Sequence, residues 1–391
     1  MTDLVARFAD VFDEVGADAV ARECERRLPF AEIETLRAAG FTRVSLPAAF
    51  GGDAATHAEL FELLAELARR DSNLAQLFRS HFSFIDRTIH WPSSPSRDAR
   101  LRALADGAIH GNATFERSSA KVGTFGTRVT HDGEGMRLDG TKYYSTGTLY
   151  ADLVSVAADR DGESVSVLLR TDTLGVERID DWRGFGQRMT GSGTTVFDRV
   201  RLSGDQVLDR DSDRLSHGGA FVQLVLLAAL TGIGRAILDD ATRFVRTRTR
   251  TYSHGSAATP QADPIVQEVV GELSGRSFIA DAALAAAVTT LARSSAAILA
   301  GADDAAQRVA DADVATARAQ LAILPAVLQA ATDLFEVGGA SAVDADLALD
   351  RHWRNARTIA SHNPARYKAR ALGDLLINDT PVVSWWSSGE A

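Results

Sequence analysis

Residues 350–370 read DRHWRNARTIASHNPARYKAR. Arg351, Arg354, Arg357, Arg366, Lys368 and Arg370 crowd into this run, in a chain whose formal net charge is -10. A helix predicted over about 346–360 is stopped by Asn363-Pro364, because proline pushes the residue before it out of the helical region. His362 is therefore expected in a turn, where an imidazole can reach into a cavity instead of packing on a helix face. That makes it the first candidate for a reactive-centre residue. The basic side chains read as salt bridges, an interface or a phosphate site, against the plain alternative of a solvated face.

Outward from this stretch, 391 residues with 45% apolar and 24% charged content describe a globular protein of two or three domains. The acidic balance argues against nucleic acid or an anionic membrane as partner. The single cysteine, Cys24, excludes an intramolecular disulfide and a cysteine-held metal centre. Nine histidines scattered without ligand spacing predict no metal site. The start, MTDLVARFADVFDEV, carries acids and no apolar leader, so the expected location is the cytoplasm. The longest apolar run, Ala220 to Leu230, is too short for a bilayer and reads as a buried helix.

The chain divides into three parts. Residues 1–108 show helical spacing, as in Leu4, Phe8, Val11 and Phe12, then Leu60, Leu63, Leu64 and Leu67, then one helix holding Leu74, Leu77, Phe78, His81, Phe82 and Ile85. Residues 109–212 alternate in short runs such as SVSVLL and TTVFDRVRL between Asp-Gly turns, which predicts a β domain. No GxGxxG or Walker pattern opens a helix there. Residues 213–391 hold four long Ala- and Leu-rich helical runs, about 220–249, 264–299, 303–336 with Pro325 a kink, and 346–360, expected as an antiparallel bundle. Val382, Val383, Trp385 and Trp386 near the end are expected to dock on this or a neighbouring subunit.

This order resembles the acyl-CoA dehydrogenase fold over essentially the whole chain: an α+β protein with an N-terminal helical domain, a central β-barrel-like domain and a C-terminal four-helix bundle. LPAAFGG, at residues 46–52, resembles the family's LP..yGG loop. GTKYYSTG, at 140–147, stands where its flavin-contact strand lies. RGFGQRMTGSGTTVFDRVRL, at 183–202, matches a further motif, and FEVGGASAV, at 335–343, its GG.G turn. Dehydrogenation of an acyl thioester needs a carboxylate base beside the flavin. The matching tripeptide is Ser361-His362-Asn363, with no acid between Asp350 and Asp374. The HWRNART…HNPARYK segment instead resembles the flavin-dependent monooxygenase branch, with Asn363 in place of the usual aspartate.

That resemblance implies reduced flavin from a separate NAD(P)H flavin reductase, dioxygen as co-substrate, and a flavin hydroperoxide that oxygenates a small apolar or aromatic molecule at sulfur, nitrogen or carbon. It also implies a homotetramer. FMN is expected before FAD, because SHG follows Arg250 where the family's adenosine-side motif would stand. His362, Ser145 and His81 are the catalytic candidates; for His81 a satisfied core histidine is the competing reading. Asn112, Thr114, Tyr144 and Thr146 are expected along the flavin, Trp182 over a ring face, Ser192 near the phosphate, and Arg248 or Arg250 on the phosphate across an interface. The alternatives are an FAD-dependent acyl-CoA dehydrogenase or oxidase rescued by a glutamate such as Glu336, and a non-catalytic homologue.

Overall fold

A computed structural model describes residues 3–117, 125–133, 135–209, 214–251 and 253–382. The first helices are α1 (Asp3–Gly16), α2 (Ala19–Glu25), α3 (Phe30–Ala38) and α4 (His57–Arg70). In α1 the spacing of Val5, Phe8, Phe12 and Val15 puts all four on the buried face. Helix α4 starts on a capping box, in which the Thr56 hydroxyl accepts from the Glu59 amide and the Glu59 carboxylate reaches back to the Thr56 amide. The single helix expected over Leu74 to Ile85 is two, α5 (Ser72–Leu77) and α6 (Arg79–Ile89), joined at Phe78. This break redirects the side chains of Arg79 and Ser80 inward, where both are buried. Helix α7 (Pro95–Ala105) closes the segment.

The β strands are β1 (His110–Ala113), β2 (Arg128–Asp132), β3 (Gly135–Lys142), β4 (Leu153–Arg160), β5 (Glu163–Arg170), β6 (Val176–Ile179), β7 (Thr194–Leu202) and β8 (Val207–Asp209). They form one sheet in the order β6-β7-β3-β2-β4-β5-β8, and β1 runs parallel to β4 off that path. Most neighbours are antiparallel, and the β3–β7 ladder shifts register between Leu138 and Gly140. Alternation buries Val154, Val156 and Ala158 of β4 and Val165, Val167 and Leu169 of β5 in a core of the sheet's own.

The C-terminal helices are α8 (Gly218–Thr247), α9 (Pro264–Ala300), α10 (Ala305–Asp333), α11 (Asp350–Ala360) and α12 (Ala365–Asn378), so one helix more follows than the four expected runs. They share a single hydrophobic core with α1 to α7, in which α8 runs through the middle. Gly232 of α8 explains how closely the two sets approach: a Cβ there would lie 2.3 Å from the Ala65 carbonyl oxygen of α4. By length and composition alone α8, α9 and α10 could each cross a membrane, which the shorter run read from sequence did not indicate. The apolar window of α8 is 83% buried inside the protein. Val383, Trp385 and Trp386 lie outside the described residues.

Charged groups fasten the ends of this core. Although the histidines are scattered along the chain, folding gathers His57 and His217 on Asp86 through hydrogen bonds of 2.9 and 2.8 Å, with His90 alongside. The grouping offers ligand atoms within 4.8 Å of one another, which the spacing of the histidines along the chain does not show. Its carboxylate is already engaged by both rings, which hold its pKa far below the usual carboxylate range against the effect of burial.

Candidate active site

The basic run that opens α11 is mostly internal mortar. His352 and Arg351 both bond Asp240 of α8, at 2.8 and 2.6 Å. Arg354 bonds Glu23 of α2 at 2.7 Å and donates to the Phe185 carbonyl at 3.1 Å. Asn355 accepts the Gln187 amide N–H at 2.5 Å. Gly186 permits this contact, since a Cβ there would stand 2.1 Å from the Arg354 carbonyl oxygen. Helix α11 is thereby locked to the N-terminal helices and to the 183–193 loop that leads into β7, and its end is fixed.

His362 falls in the turn after that end. Its backbone N–H bonds Ile359, and Pro364 opens α12 with extended geometry. Neighbouring Asn363 is pinned by its side-chain amide to Gln223 at 2.6 Å, while its carbonyl accepts from Gln320 at 2.8 Å. The Arg79 guanidinium donates to His362 Nε2 at 2.8 Å. Nε2 therefore carries the lone pair and Nδ1 the proton. His362 is exposed to solvent, yet protein surrounds it densely enough that burial, then the charge of Arg79, bring its pKa down to about 3. The ring is a neutral N–H donor at physiological pH.

From Arg79 a chain of contacts leads to the sheet. Ser80 donates to Asn112 Oδ1, and the Asn112 amide donates to Thr114 Oγ1 at 3.3 Å. The Asn112 carbonyl accepts from Thr148 Oγ1 at 2.9 Å, and the Thr148 amide bonds the Ser145 carbonyl at 3.0 Å. The Thr146 and Thr190 hydroxyls lie 2.8 and 2.7 Å from Ser192 Oγ. Gly147, at φ +79°, lets this turn press on Leu77, whose carbonyl oxygen would be 2.3 Å from a Cβ. Tyr144 holds a φ of 60° and is 47% exposed, a conformation that costs a non-glycine residue energy and collects at ligand sites. Its ring centroid is 6.1 Å from that of Trp182, whose indole N–H bonds the Gln187 carbonyl at 3.0 Å.

The structure thus brings His362, Asn112, Thr114, Ser145, Thr146 and Ser192 into one neighbourhood through hydrogen bonds and chain neighbours, with Tyr144 and Trp182 beside it. The fully buried His81 stands apart. Its Nε2 donates to the Thr42 carbonyl at 2.7 Å and its Nδ1 accepts from the His110 amide at 3.2 Å. No ring nitrogen is left for a reactant, so the satisfied core histidine is the arrangement found. Arg248 ends α8 and donates to the Val337 carbonyl at 3.2 Å, and Arg250 is exposed in the loop beyond. Arg248 lies 25 residues along α8 from Gln223, or ~37 Å at the helical rise. The side chain of Glu336, next to Val337, is at that same far end and is exposed. Within one chain neither the arginines nor Glu336 reach His362. Arg79, which the sequence reading passed over, does.

Residues 224–367 match the acyl-CoA dehydrogenase C-terminal domain. Dibenzothiophene monooxygenase of Mycolicibacterium goodii is 31% identical over 378 residues, covering 91% of this chain and 89% of that protein. The chain belongs to the flavin-dependent monooxygenases of the acyl-CoA dehydrogenase fold. A probable FMNH2-dependent monooxygenase, SfnC of Pseudomonas putida, is 29% identical over 388 residues, covering 94% of this monooxygenase and 93% of SfnC. The methanesulfinate monooxygenase MsuC from Pseudomonas fluorescens superposes with a TM-score of 0.88 at 26% identity, covering 98% of this monooxygenase and 99% of MsuC.

His81 supplies a test of the buried geometry. Burial brings its pKa down to about 4, whereas the unfolded ring titrates near 6.5. The stabilisation is complete above the unfolded value and is lost as pH falls toward the folded one, because the unfolded chain then takes up a proton that the native chain does not. Between pH 7 and pH 5 this costs about 2 kcal/mol. Urea unfolding at both pH values should show that loss in the wild type and a flatter dependence in His81→Asn.

Proposed function

We propose that this monooxygenase takes reduced FMN made by a separate reductase, together with dioxygen, and oxygenates a small organic molecule in the cleft between α6, the 144–148 turn and the α11–α12 turn. The observation that carries this reading is His362: a neutral imidazole donor beside Arg79 stands in the segment where the dehydrogenases would be expected to carry a carboxylate base. No nicotinamide-binding GxGxxG motif opens a helix in the sequence, which fits reduction elsewhere.

The residues present suit a flavin. Ser145 is 1% exposed and its hydroxyl has no hydrogen-bond partner among the described residues, an unmet need that a ring edge with polar atoms would satisfy. Tyr144 to Thr146 and Trp182 would line the ring, with Asn112 and Thr114 at its edge and Ser192 toward the phosphate. When bound, the reduced flavin supplies the two electrons that let one atom of dioxygen pass to substrate while the other leaves as water. The protein keeps that oxygen from escaping unused. His362 donates a hydrogen bond from Nδ1 toward the reacting oxygen, and Arg79 fixes its tautomer.

His362→Ala and Ser145→Ala check this with reduced FMN from an added NADH:FMN reductase and a panel of dibenzothiophene, indole and methanesulfinate. Product formed per NADH should fall by ~10²-fold or more in His362→Ala and less in Ser145→Ala, with hydrogen peroxide rising to match. Unchanged coupling in His362→Ala would remove the histidine from the chemistry. Absence of product across the panel, with bleaching of bound flavin by acyl-CoA thioesters, would restore the dehydrogenase.

Assembly enters the same proposal. Helix α9 exposes the adjacent Phe278 at 71% and Ile279 at 47%, besides Ile265 at 63% and Leu299 at 58%, apolar surface that favours self-association. With Arg248 and Arg250 ~37 Å along α8 from the Gln223 contact, a flavin phosphate could meet them only from another subunit. We expect a homotetramer by light scattering, and smaller species with weaker FMN binding from Phe278→Glu. A wild-type monomer that binds FMN tightly would refute this assembly.

A further inference from the structure

Among the described residues, Arg79 is a buried cation without a counter-ion. It is 8% exposed, and among the described residues no carboxylate lies within ion-pair distance of it. Burial alone shifts its pKa, down to about 10, and no acid opposes that shift, so it stays charged at neutral pH. Other buried cations are matched: Arg22 has Glu32 at 2.7 Å and Asp71 at 3.0 Å, and Lys142 has Glu116 at 2.6 Å. The one hydrogen-bond partner of the Arg79 side chain among the described residues is the neutral His362. His362 accepts one of its N–H groups, the Asn363 amide is spent on Gln223, and Ser80 on Asn112. Burying an unmatched charge is costly to a fold.

The remaining guanidinium N–H groups have no acceptor among the described residues, and none of the nitrogens is among the fully buried atoms lacking a partner. They keep contact with solvent beside the exposed ring of His362. A guanidinium presents paired donors in a plane, the shape that grips a carboxylate or sulfinate at two oxygens. Because one nitrogen already touches His362, an anion on the others is held beside the imidazole.

We propose that Arg79 anchors an anionic group of the substrate, so that this monooxygenase oxygenates a small organic carboxylate or sulfinate instead of a neutral apolar or aromatic compound. The identification of the anion as substrate rests on the monooxygenase reading. The anion site itself does not, and it is measured by binding alone.

Isothermal titration of the full-length protein, with and without FMN, compares matched probes: benzoate with methyl benzoate, benzenesulfinate with methyl phenyl sulfone, and methanesulfinate with dimethyl sulfone. At least one anion should bind about tenfold or more tighter than its neutral counterpart. Arg79→Gln should erase that preference while FMN affinity and the affinity of the neutral probe are kept, and Arg79→Lys should retain part of it. Circular dichroism confirms that each variant is folded. Equal binding of every anion and its counterpart by the wild type overturns the proposal, as does a preference that survives in Arg79→Gln. Loss of FMN binding in a folded Arg79→Gln protein also overturns it, because it moves the arginine to the flavin. An anion preference in a wild type that binds no FMN would leave the anion site standing and defeat the monooxygenase reading alone.

Discussion

The contact on which the site depends is the one between α11 and the 185–187 backbone. Asn355 takes the Gln187 N–H while Arg354 spans Glu23 and the Phe185 carbonyl. A helix from the C-terminal part, one from the N-terminal part and a loop of the sheet thus meet at hydrogen-bonding distance, with Gly186 leaving no room for a side chain between them. The buried Asp240–His352 pair ties the same helix to α8, and burial with the neighbouring Arg351 charge keeps that histidine's pKa down to about 4. Charge-assisted hydrogen bonds of this kind set position more than they add net stability. What they position is the turn that begins at Ser361.

Downstream of that clamp the chemistry is governed by protonation. His362 can act as a donor to a reacting oxygen only if it carries one proton on a known nitrogen, and the guanidinium of Arg79 decides which. The same charge discourages a second proton, so the donor does not change character over the physiological range. Ser145 contributes differently. Its hydroxyl is buried with no hydrogen-bond partner among the described residues, on a turn whose Tyr144 backbone holds a positive φ, which is how a fold keeps a polar group ready for a ligand.

Much of this was legible in the sequence where a local rule applied. Asn363-Pro364 had to end a helix, so His362 had to stand in a turn, and the alternation of SVSVLL had to make a two-faced strand. The missing carboxylate near His362 could be read directly. Arg79 could not be read, because LFRSHF fits an unbroken helix in which an arginine would face water. The stop at Phe78 that turns it inward comes from the contact of α5 with Gly147 and the 187–189 loop, as when Gln187 bonds Ser72 and the Met189 amide bonds Asn73. Those are tertiary contacts with no local signature. His81 failed as a candidate for the same reason, since its two backbone partners, Thr42 and His110, are distant in sequence. The arginines of 351–354 were visible as a basic run, but their acids, Glu23 and Asp240, lie far away along the chain.

The claim at the centre is that Arg79 keeps His362 neutral with its proton on Nδ1. Nitrogen-15 NMR of histidine-labelled protein, with His362 assigned by its absence in His362→Ala, reads this directly across pH 5 to 8. An Nδ1–H tautomer that persists over the whole range is the result expected here. A ring that titrates near 6.5, or one protonated on Nε2, would contradict it.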